Sequence, residues 1–143
     1  MRYEFGSTEW LAALHGIIAE RTAALSPGNP KLWMSTCEVF YNAPAHLAGP
    51  GGKISWSCVI ADGKVDFQRR ERDDVRYKVL CDYSAVLPMA QYDTLDDADR
   101  QVVLQQMVKD LLDSGNMSRP LGTRSADPDH FPKLHDAIAK LTI

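Results

Sequence analysis

Residues 53–90, KISWSCVIADGKVDFQRRERDDVRYKVLCDYSAVLPMA, constrain this chain more than any other stretch. Read two residues at a time, Ile54, Trp56, Cys58 and Ile60 share one face. Val65 and Phe67 follow on the next segment, then Val75, Tyr77, Val79 and Cys81. A period of two is the signature of half-buried strands, so three strands are predicted. Ala61-Asp62-Gly63 between the first two predicts an antiparallel hairpin, because Gly accepts the positive φ that a tight turn demands. After Cys81 the period changes. Asp82 or Ser84 can cap a helix, and Tyr83, Val86, Leu87 and Ala90 have helical spacing.

The flanking segments supply cover for such a sheet. Ser7-Thr8-Glu9-Trp10 opens a helix whose apolar face is Trp10, Leu11, Leu14, Ile17, Ile18 and Leu25, and Arg21 falls inside that arc with its stem free to pack. The turn formers of residues 26–30 stop it. Leu32 to Tyr41 then reads as a strand with β-favouring residues on both faces, Trp33, Cys37, Val39 and Tyr41 sharing one side. The Pro- and Gly-rich residues 43–52 predict a crossing loop. Residues 69–74 form a mixed charge run, in which Arg69, Arg70 and Arg72 could hold an anion but alternating signs favour a solvated tip. From Thr94, taken as the cap, runs the longest helix, with Val103, Met107 and Leu111 in one stripe, Leu104, Val108 and Leu112 in the next, and Ser114-Gly115 as the stop. That apolar width exceeds what one sheet contact requires. Asp127-Pro128-Asp129 predicts a final helix with Phe131, Leu134, Ile138 and Leu141 on one face.

A chain of 143 residues with 45% hydrophobic content is sized for one domain, residues 1–143, around one core. A net charge of −3 and no basic stripe speak against nucleic acid as a partner. No apolar run reaches the ~20 residues of a membrane span, and the first residues lack the apolar core of a signal peptide, so a cytoplasmic location is expected. Cys37, Cys58 and Cys81 each sit among apolar neighbours and predict buried thiols rather than a disulfide framework. His15, His46, His130 and His135 have no HExxH spacing, and there is no GxSxG elbow. Gly49-Pro50-Gly51-Gly52 lacks the Lys-Ser/Thr of a phosphate loop. Neither a metal nor a cofactor is expected.

The hairpin Asp62-Gly63-Lys64-Val65, the strand opening on Asp74-Val75, and the Asp82-Tyr83-Ser84-Ala85-Val86-Leu87 helix start together resemble the sterol carrier protein type 2 family. The resemblance spans the second and third quarters of the chain, with a first and a last helix in compatible places. It implies an α+β domain: a curved, mainly antiparallel sheet of four or five strands with helices packed on one face. At residues 114–122 the chain departs from the family's "Ser-Gly-Lys-Leu-x-x-x-Gly-Asp" strand, and Pro120 stands where a strand needs an amide donor. The residues therefore leave open whether a last strand forms there. The resemblance also implies non-catalytic binding or transfer of a lipid-like or bulky apolar ligand, such as a sterol or fatty acyl group, between sheet and helices. Candidate lining residues are Trp10, Leu14, Leu87, Met89, Met107, Val108, Leu111 and Met117, Met and Trp being suited to irregular apolar surfaces. Two other readings stay open. One is a small enzyme using His135, Asp82 or Glu38 as general base on an apolar substrate, Glu38 being a carboxylate that alternates with Met34, Thr36 and Phe40. The other is a homodimeric module joined through the broad helix from Leu95 to Leu112.

Overall fold

Asp62 and Gly63 both take positive φ, 53° and 74°, and the tight turn they make joins β2 (Ile54–Ala61) to β3 (Lys64–Gln68) as an antiparallel hairpin. The computed structural model describes residues 1–28, 31–122 and 134–143. Around the hairpin lie β1 (Met34–Tyr41), β4 (Tyr77–Asp82) and β5 (Met117–Ser118), with helices α1 (Thr8–Leu25), α2 (Tyr83–Gln91), α3 (Ala98–Ser114) and α4 (Leu134–Leu141). The sheet order is β3-β2-β1-β4-β5, antiparallel throughout except for the parallel pair β1 and β4. This is the expected α+β architecture with five strands.

The order of strands explains the charge run. To reach β4 from β3 the chain must pass β2 and β1, so residues 69–76 cross the sheet instead of ending in a solvated tip. The Arg72 amide donates to Cys37 Sγ at 3.4 Å and the Arg76 amide to Ser35 Oγ at 2.8 Å. Val75 packs on Cys37 and Val39 in a small second core. Buried Lys78 meets Glu71 and Asp73 at 2.6 and 2.5 Å, while Arg72 pairs with Asp66 and Asp74. Alternating signs here neutralise one another, and Arg72 is committed to carboxylates of its own chain. Both faces of β1 are consequently covered, and β4 begins at Tyr77, two residues later than the alternation from Val75 suggests.

The opposite face carries the main core. Ile54, Trp56, Cys58 and Ile60 of β2 and Val79 and Cys81 of β4 are buried with Trp10, Leu14 and Ile18 of α1 and Val86 and Ala90 of α2. Ser7 caps α1 through its hydroxyl to the Trp10 amide, and Asp82 caps α2 through the Ala85 amide. Asp97, not Thr94, caps α3, accepting from the Arg100 amide at 3.0 Å. Thr94 is drawn elsewhere: its amide and hydroxyl both donate to buried Asp136 of α4, at 2.8 and 2.6 Å. Gly115 ends α3 in the left-handed conformation, φ 81°.

Of the two apolar stripes on α3 only Leu111 is buried. Met107, Val108, Leu104 and Leu112 are half-buried and Val103 is 46% exposed. The helix sits on α2 and β5 rather than across the sheet. A last strand does form at Met117–Ser118, two residues long, and it stops short of Pro120, which has no amide for the ladder. The proposed start of the final helix at Asp127-Pro128-Asp129, together with His130 and Phe131, lies outside the described residues.

Candidate functional site

Between the sheet and the helical layer lies a partly open cavity of about 130 Å³. Its sheet floor is Glu38 and Phe40 of β1 and Tyr77, Val79 and Cys81 of β4. Met117 of β5 and Arg119 just beyond it form one edge. Trp10, Val86, Met89, Ala90, Val108 and Ile138 form the roof, with Phe5 and His135 at its margins. The periodicity places these groups together: Glu38 and Phe40 alternate onto one face of β1, and Tyr77, Val79 and Cys81 onto the same face of β4.

Four polar side chains break this apolar surface. Glu38 lies on the central strand, opposite Trp56 on β2 and Val79 on β4. Trp56 Nε1 donates to Glu38 Oε2 at 2.9 Å. Burial pushes the Glu38 carboxyl up from 4.5 to about 7, since an anion there loses its hydration, and the Trp56 hydrogen bond recovers only part of that loss. Tyr77 sits two pairs along on the same face, and burial first, then the nearby Glu38 charge, raises its phenol. Arg119 hydrogen-bonds Tyr77, with its guanidinium carbon 5.9 Å from that ring's centre. Its Nε is a buried donor with no acceptor among the described residues. His135 Nε2 lies 2.7 Å from the Tyr92 carbonyl oxygen. A carbonyl can only accept, so Nε2 carries the proton.

The sequence-derived lining residues divide. Trp10, Met89, Val108 and Met117 line the cavity. Met107 and Leu111, again with Met89, line a separate and more open groove of about 380 Å³ between α2 and α3. Leu14 has no exposed surface and lies wholly in the core, and Leu87 is half-buried against that core, so neither faces either space. Arg119 and Tyr77 were missed. The signal for Tyr77 was present, because it falls in the Val75-to-Cys81 alternation. Arg119 carried none, since its position depends on a two-residue strand. Asp82, a candidate base, is occupied as the α2 cap and by Asn42, whose amide donates at 2.9 Å, and both hold its carboxyl below the ordinary range.

A surface hollow of about 570 Å³ lies between residues 46–55 and residues 69–71 and is rimmed by Lys53, Arg69, Arg70 and Glu71. Lys53 faces Glu71 at 3.7 Å, and Arg70 donates to Gln68, so its charges are largely engaged with the chain's own groups. Among the described residues no group of three or more His, Cys, Asp or Glu side chains could hold a metal, and no helix is long and apolar enough to cross a membrane.

No protein-family model and no curated protein matches the chain. Among solved structures, a chain described as "UbiJ-SCP2 Ubiquinone synthesis protein" is similar over 90% of this chain and 94% of that one, with 16% sequence identity and a TM-score of 0.45. A likeness at that level carries nothing about ligand or activity.

Proposed function

We propose that this protein binds a small apolar ligand, without covalent chemistry, in the cavity between sheet and helices. The observation that carries the reading is the mainly apolar cavity itself: a packed core has few spaces larger than a water molecule, and this one opens between sheet and helices and meets ionisable groups on its floor. Its volume limits what it can cover. An apolar cavity of ~150 Å³ accommodates benzene, whereas sites for drug-sized ligands run to ~300 Å³ and above. Covering a whole sterol or fatty acyl chain therefore requires the helical layer to lift. α3 is the element suited to do so, with Leu111 its one buried residue and the αL Gly115 at its end. Met107 and Leu111 would join the lining in that open form, and the groove they share with Met89 is where the two spaces would merge.

The test is a two-dimensional NMR titration with toluene. Shifts concentrated on Val86, Val108, Met117 and Ile138 support the reading, and a spectrum unchanged to saturation overturns it. Native mass spectrometry of protein purified from its own host would then identify the natural occupant.

A second reading is favoured by one specific observation. A carboxyl pushed to about 7 inside an apolar cavity is poised to act as a general base near neutral pH, as Glu38 would on a bound apolar substrate. If Glu38→Gln leaves ligand binding intact but abolishes conversion of the natural occupant, the protein is an enzyme and not a carrier.

A further inference from the structure

We infer that the cavity takes a ligand with a compact apolar body and a carboxylate head, and that the head sits between Glu38 and Arg119. This inference rests on the reading of the cavity as a binding site.

The sheet register supplies the geometry. Glu38 pairs with Val79 across β1 and β4, and Ser118 pairs with Leu80 across β4 and β5. Continuing the antiparallel register by one residue sets Arg119 beside Val79, so the three residues form a row across the sheet floor. Two strand spacings separate the backbones of Glu38 and Arg119 by about 10 Å. Both side chains line the cavity. They form no ion pair with each other: Glu38 is held on its far side by Trp56, and Arg119 turns to Tyr77. The space between the two ends lies above Val79.

The chemistry of the two ends selects the head. Arg119, itself part-buried, offers a guanidinium whose Nε has no acceptor among the described residues, and a carboxylate matches that planar fork with two parallel hydrogen bonds. Protonated Glu38 offers an O–H donor on the opposite side. With Glu38 neutral, the charges of Arg119 and the ligand cancel. With Glu38 ionised, two anions share the cavity with one cation, an arrangement that a poorly hydrated site disfavours. Among the other described residues facing the cavity, Tyr77 and Cys81 of β4 are both held protonated, His135 of α4 hydrogen-bonds the Tyr92 carbonyl through Nε2, and the lining residues of α1, α2 and α3 are not ionisable. Binding is therefore strongest while Glu38 keeps its proton. The cavity volume matches a body of about one ring.

The experiment titrates benzoate and benzyl alcohol, which share a ring and differ in the head, into the unaltered protein at pH 6 and pH 8.5, and into Arg119→Gln and Glu38→Gln. Hydrogen bonds to a charged group predict benzoate at least ~10-fold tighter than benzyl alcohol at pH 6. That preference shrinks at pH 8.5 in the unaltered protein, disappears in Arg119→Gln, and stays level between the two pH values in Glu38→Gln. Equal binding of both compounds at pH 6, with no effect of Arg119→Gln, overturns the carboxylate head while the cavity still binds. A benzoate preference that persists unchanged at pH 8.5 removes Glu38 from the head site. If neither compound binds, the binding reading fails and the inference with it. The pH comparison uses the unaltered protein, so a misfolded Arg119→Gln variant does not shield the proposal.

Discussion

Trp56 Nε1 donates to Glu38 Oε2 at 2.9 Å across the pairing of β1 with β2, which places a carboxyl over a mainly apolar sheet face and gives it a fixed partner. The indole holds the carboxyl in place without balancing its charge. Burial is what lifts Glu38 to about 7, and the Trp56 hydrogen bond offsets only part of it.

A pH dependence of folding follows, with a definite sign. The folded protein binds the Glu38 proton more tightly than the unfolded chain, whose value is 4.5, so stability is highest below 4.5 from this group and falls as pH rises towards 7. The full loss is about 3 kcal/mol, on the order of 1.36 kcal/mol per pH unit over that window. Denaturant melts at pH 5 and pH 8 should show Glu38→Gln gaining on the unaltered protein at the higher pH. A constant difference between the two would mean that Glu38 is hydrated.

The two methionine positions separate groove from cavity. Met107 borders an open groove and is only half-buried, so Met107→Ala should cost less than ~2 kcal/mol, below the ordinary range for a core methionine, and Met107→Glu should still fold. Leu14, fully buried on α1, is the core control, and Leu14→Ala should cost about 3 to 5 kcal/mol. Phe131, the control suggested by the helix pattern, lies outside the described residues. If Met107→Glu destabilises as much as Leu14→Ala, α3 is ordinary core and cannot lift as a cover.

The three thiols should be inert. Cys37, Cys58 and Cys81 are all buried, and burial pushes Cys58 up to about 12 and raises the other two. Since the thiolate is the reactive form, Ellman counting should give none in the native protein and three in denaturant. A fast native reaction would locate an opening, and Cys81 on the cavity floor is the thiol that would report it.

Asp136 ties α4 to the turn before α3. Its two oxygens take the Thr94 amide and hydroxyl, and these bonds hold its carboxyl below the usual value although burial opposes them. Asp136→Ala leaves two buried donors unpaired and should cost about 2 to 3 kcal/mol in a denaturant melt. Asp136→Asn should cost less, because one acceptor survives. Equal losses would assign the effect to packing.

Local patterning accounts for much of the architecture. The period-two runs around Trp56 and Val79, the Asp62-Gly63 turn, the caps at Ser7 and Asp82 and the stop at Gly115 were each legible, because each depends on residues within one turn or one strand. The alternation of Glu38 with Met34 and Phe40 also marked an acid on an apolar face. Relations between distant segments were not legible. The parallel pairing of β1 with β4 turned the charge run into a neutralised crossing, and it set Tyr77 two pairs along from Glu38 on the same face. Thr94 has the form of a helix cap, yet Asp136, 42 residues away, offers its amide and hydroxyl a buried carboxylate, and the cap passed to Asp97. Arg119 reaches the cavity only because two residues of β5 pair with β4. Sequence periodicity decides which face a side chain takes on its own element. Which elements become neighbours, and so whether a buried charge meets a partner or an empty space, is decided by the tertiary packing, where desolvation and pairing act between residues that the chain order keeps apart.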